Sequence, residues 1–108
     1  NLCDGLIWAD LAIIGLGLTR YEAAICGVPN ISITREKLEK YNNDAFITSG
    51  IGEYISIIGD DKTDLLNTIN KIDIEVQLRE KISRDGQALI DGLGANRILQ
   101  EVQKLNLL

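Results

Sequence analysis

The chain has 108 residues, enough for one small domain with one hydrophobic core. A hydrophobic content of 45% argues against disorder, and a net charge of −5 argues against nonspecific binding to nucleic acid or to an anionic membrane. No histidine is present, so neither histidine acid–base chemistry nor a histidine metal site comes from this chain.

Aromatic residues are scarce (three Tyr, one Trp, one Phe), so the core must be built from Ile and Leu, a composition suited to parallel strands covered by helices. Residues 3–9 predict a short helical turn ending near Trp8. Asp10 introduces the apolar run Leu11-Ala12-Ile13-Ile14, which stops at Gly15 as a buried strand does. Residues 11–18 are too short and too broken by glycine to span a bilayer, and no basic segment precedes them as in a signal peptide. Gly15-Leu16-Gly17 makes a turn. Thr19 is placed to cap the next helix, with Glu22 three residues on completing a Thr-x-x-Glu box. That helix is expected through Cys26, with Gly27 as its C-terminal stop.

Pro29 precedes a second strand at 30–34, rich in β-branched residues. A charged helix is expected over 36–48, with Leu38, Tyr41, Ala45 and Phe46 facing inward, ended by Gly50 and Gly52. Tyr54–Ile58 reads as a third strand, closed by Gly59 and the turn residues Asp60 and Asp61. A helix capped by Thr63 or Asp64 should put Leu65, Leu66, Ile69 and Ile72 on its apolar side. Two more are expected, over 75–90 and from about Ala95 to Leu105, separated by Asp91-Gly92-Leu93-Gly94. Strands alternating with helices imply an α/β fold of Rossmann-like βαβαβ type, with about three parallel strands and C-terminal helices. Cys3 and Cys26 have no metal-like spacing and read as two thiols, a disulfide between them being open. The start at Asn1 rather than Met points to a piece of a longer protein.

The first strand, turn and helix hold the candidate chemistry. Gly15 and Gly17 let a ligand approach the backbone closely, and N–H groups at the start of the helix suit a diphosphate. Thr19 adds a hydroxyl donor, and Glu22 is positioned to accept from ribose hydroxyls. The alternative is a tight turn with a capped helix and no ligand. Arg20 stands beside the turn and Arg35 follows the second strand, where α/β sheets put their ligands; either can meet a phosphate bidentately or be an ordinary solvated arginine. Asn42 and Asn43 read as solvated helix surface. The dinucleotide fingerprint fits poorly, because Arg20 stands where its third glycine belongs, and no Walker pattern occurs.

Taken together, Ala9-Asp10-Leu11-Ala12-Ile13-Ile14-Gly15, Gly17-Leu18-Thr19, Tyr21-Glu22 and Cys26-Gly27-Val28-Pro29 resemble the C-terminal domain of GT-B-type nucleotide-sugar enzymes. Within that group, Asp91-Gly92-Leu93-Gly94-Ala95-Asn96-Arg97-Ile98 is similar to the ending of the UDP-sugar hydrolase of pseudaminic acid synthesis and of related spore-coat polysaccharide proteins. The resemblance runs from about Asp4 to Val102. It implies a single partial C-terminal domain over residues 1–108, with Gly15, Leu16, Gly17, Leu18, Thr19 and Arg20 on the diphosphate and Glu22 on ribose. It further implies a UDP-sugar ligand, no cofactor or metal, a cytoplasmic enzyme of surface-polysaccharide synthesis, and a catalytic base from a separate N-terminal domain. The chain departs from the pattern at Leu16, in place of a glycine, at Leu18, in place of a small or hydroxyl residue, and near Leu38-Glu39, where an amide-bearing pair is expected. Those departures support the other reading, a noncatalytic interaction or assembly module. If the strands that precede Asp10 in the resembling domain are absent, the first strand is an apolar sheet edge, and a homodimer through that edge or its nearby helices is expected.

Overall fold

The computed structural model describes residues 2–34, 48–57 and 60–106. Within them the order is α1 (Leu2–Trp8), β1 (Ala12–Ile14), α2 (Thr19–Ile25), β2 (Asn30–Thr34), β3 (Glu53–Ser56), α3 (Thr63–Ile74), α4 (Val76–Leu89) and α5 (Gly94–Lys104). The three strands form one parallel sheet in the order β1-β2-β3. Ile13 is registered on Ile31, and Ile33 on Ile55. The expected α/β architecture with a three-stranded parallel sheet is therefore present, and β1 is an edge strand among the described residues.

Side chains alternate across a strand, which sorts the core into two faces. Ile31, Ile33, Ile55 and Ile57 point one way and pack with Leu65, Ile69 and Ile72 of α3 and Leu78 of α4. Ala12 points the other way, into a cluster with Leu6 of α1, Ala23 of α2 and Val28. A third cluster joins Ala24 to Ile51, with Tyr21 and Ile90 packed against it. The sheet's second face also carries buried polar side chains. Asn30 donates from Nδ2 to the carbonyls of Val28 (3.2 Å) and Ile51 (2.9 Å), tying the start of β2 to the segment before β3.

The end of α2 is set by Gly27, whose φ of +72° is left-handed. Val28 N–H then reaches the Ala23 carbonyl (2.9 Å) and Gly27 N–H the Ala24 carbonyl (3.0 Å), the paired bonds of a Schellman stop. Val28 is buried against Ala23, the hydrophobic contact that accompanies this motif. One turn before its end, α4 crosses α2 at Gly86, where a Cβ would lie 2.9 Å from the Ala24 carbonyl oxygen. Glycine is what allows the two helices to approach this closely.

Several expectations differ in detail. β1 and β3 are shorter than the apolar runs that mark them. Leu66 is 58% exposed, because Leu65, Ile69 and Ile72 follow the helical repeat and Leu66 lies about 100° round from Leu65. The helix expected over 36–48 falls mostly outside the described residues, as do Arg35, the Leu38-Glu39 position and the pair Asn42 and Asn43. Among the described residues no helix is long and apolar enough to cross a membrane.

Candidate functional site

The glycine turn leaves the carboxyl end of β1 and enters α2, the end of a parallel sheet where α/β folds commonly carry ligands. Gly15 and Gly17 are exposed, and among the described residues nothing lies within 4 Å of a Cβ built on either. Leu16 is half-buried, while Leu18 is 76% exposed and stands on the open side. The backbone of the turn is thus accessible, with Leu18 as the largest group beside it.

The helix begins differently from the expected capping box. Leu18 has φ −65° and ψ −20°, so it is already helical in shape, and its carbonyl accepts the N–H groups of Tyr21 (2.9 Å) and Glu22 (3.2 Å). Leu18 is therefore the N-cap and Thr19 the first helical residue; among the described residues no side chain caps this end. A Thr cap needs an extended backbone at Thr19, which this entry does not provide. The consequence bears on ligand binding: the first N–H groups of α2 are not bonded by a capping side chain. Thr19 is half-buried and Glu22 exposed, so a hydroxyl and a carboxylate remain near the turn.

Arg20 stands elsewhere. It is only 5% exposed, its guanidinium lies 5.1 Å from the centre of the Tyr21 ring, and Nη2 donates to the Tyr21 hydroxyl at 3.3 Å. The structure does not bring it to the open side of the turn. Burial and the ring contact, invisible in local sequence, turn it inward. Arg35 lies outside the described residues.

The acidic residues have local roles. The Asp61 carboxylate accepts the Thr63 N–H at 3.0 Å, and bonds from the Thr63 side chain and backbone hold its pKa below the ordinary value, as suits a turn residue ahead of α3. Asp91 enters the sequence reading only as part of the closing motif, with no role of its own. It accepts the Leu93 N–H (3.0 Å) and a two-nitrogen fork from Arg97, with Nη1 at 3.0 Å. The Arg97 guanidinium, then the Leu93 N–H, depress its pKa to about 2. Much of the Asp91–Ile98 motif is thereby explained as a local clamp that starts α5. The available signal was an Asp six positions before an Arg across a glycine turn.

Two clefts lie away from the glycine turn. One of about 720 Å³ is lined by Asp10, Leu11, Pro29, Asp73, Arg79 and Arg84, among others. Asp10, Leu11 and Pro29 precede β1 and β2, so this cleft opens at the amino ends of the strands, opposite the turn. The other, about 500 Å³, lies along β3 and α3 between Tyr54, Ser56 and Asn67. Neither includes a residue of 15–22. Among the described residues no cluster of three or more Cys, Asp and Glu could hold a metal ion. No family model matches the chain, and no curated protein or solved structure matches it either.

Proposed function

We propose that the chain is the nucleotide-sugar-binding part of a GT-B-type enzyme of surface-polysaccharide synthesis, and that its ligand is a UDP-sugar. The diphosphate lies over the backbone of Gly15, Leu16, Gly17, Leu18 and Thr19, and Glu22 accepts the ribose hydroxyls. One observation carries the reading: an unobstructed glycine turn leads from the carboxyl end of a parallel strand into a helix start that no side chain caps. Arg20 has no part in this version of the site, being committed to Tyr21. These groups orient a nucleotide but include no histidine or evident nucleophile, so the hydrolytic or transfer step draws its base from elsewhere in the enzyme.

Isothermal titration with UDP and with UDP-N-acetylhexosamines tests this directly. Binding heat is expected, and Glu22→Gln should weaken affinity about tenfold, the worth of a hydrogen bond to a charged group. Absence of heat for every ligand contradicts the proposal.

A second reading, an assembly module without a ligand, is favoured by one specific observation. Every residue of α5 is exposed except Val102, which is half-buried, yet the helix aligns Ala95, Ile98, Val102 and Leu105 on one side. Such a face suits a homodimer contact, as does β1, the edge strand among the described residues.

A further inference from the structure

Among the described residues the buried side chain of α1 is Leu6, which packs with Ala23 and Val28. Cys3 lies one turn before Leu6 and so shares its side of the helix. Cys26, just past the end of α2, packs against the same cluster. The two thiols therefore flank the same α1–α2 contact, Cys26 packed on the cluster that holds Leu6 and Cys3 one turn from Leu6. Both are free; Cys3 is exposed and Cys26 half-buried. They are the chain's only cysteines, so neither has another intramolecular partner.

We propose that Cys3 and Cys26 are a redox-active pair that closes to an intramolecular disulfide when a low-molecular-weight disulfide, such as oxidised glutathione, is the oxidant. The exposed Cys3 thiolate attacks one glutathione sulfur, forming a mixed disulfide and releasing one glutathione thiolate. Cys26, losing its proton to water, attacks the Cys3 sulfur and displaces the second glutathione. Two electrons pass from the protein dithiol to the oxidant, which leaves as two thiols. Burial, followed by the neighbouring Cys3 and Glu22, pushes the Cys26 thiol up, so the resolving step is the slower one. The closed loop runs from residue 3 to residue 26 and encloses β1, the glycine turn and α2. Oxidation therefore clamps α1 onto the segment that carries the candidate site, whether or not that site binds a nucleotide.

The test is incubation of the chain with oxidised glutathione, alkylation of remaining thiols, and intact mass spectrometry alongside thermal melting. The expected product has the covalent mass of a single chain, lacks both alkylatable thiols, carries no glutathione, and melts on the order of 10 °C higher until dithiothreitol reverses it. Cys26→Ser should instead retain one glutathione on Cys3. A wild-type chain that accumulates the same glutathione adduct, forms disulfide-linked dimers, or melts lower once cross-linked overturns the proposal.

Discussion

Asp91 holds the Arg97 fork and the Leu93 N–H at the same time, and these are the two largest causes that lower its pKa to about 2. Because the carboxyl is depressed in the folded chain, its contribution to stability is complete above the unfolded value near 3.9. That contribution is lost as pH falls from there through about 2. Both partners are solvent-exposed (40% and 60% for Asp91 and Arg97), so screening keeps the effect local to α5. A carboxyl titration followed by NMR should place the Asp91 midpoint near 2, and Arg97→Gln should return it towards 3.9. An unshifted midpoint in the wild-type chain would mean that the clamp does not persist in solution. At this scale the sequence was partly legible. Gly15, Gly17 and Glu22 are exposed around the start of α2. The N-cap at Leu18 and the inward Arg20 were not legible, because a one-residue shift in the helix start and a contact with the Tyr21 ring depend on the folded backbone.

The elements were the most readable level, since apolar spacing and glycine stops mark them directly. β2, α3 and α4 fall close to their expected ranges. Less visible was how the helices meet: Gly86 looks like a weak point inside a helix, but it is the crossing point of α4 on α2. Gly86→Ala gains about 1 kcal/mol in helix propensity and loses roughly 1–3 kcal/mol to overpacking against the Ala24 backbone. We expect the loss to win and the melting temperature to fall. Gly5→Ala in α1 meets no atom within 4 Å, so there only the propensity gain operates and the melting temperature should rise. Two changes of the same sign would refute the packing assigned to Gly86. α5 shows the limit of periodicity as a guide. Its pattern is that of a packed helix, yet Ile98 and Leu105 are 68% and 67% exposed. Periodicity reports that a face is apolar, not what covers it.

At the scale of the fold, the described residues form a three-stranded sheet with β1 at its edge and an α5 whose apolar face they leave exposed, so much apolar surface is in water. Light scattering at micromolar concentration should give the mass of a dimer. Ile98→Asp should return a monomer that still folds, because Ile98 is 68% exposed and adds little to the fold of one chain. A wild-type monomer would remove the assembly reading. The glycine turn and the 720 Å³ cleft lie at opposite ends of the strands, a separation that no local motif encodes, and they compete as ligand sites. Residue-resolved amide NMR during titration with UDP distinguishes them most directly. The nucleotide-sugar proposal predicts saturable shifts concentrated in residues 15–22. Shifts confined to Asp10, Asn70, Arg79 and Gln87, or none at all, would contradict it.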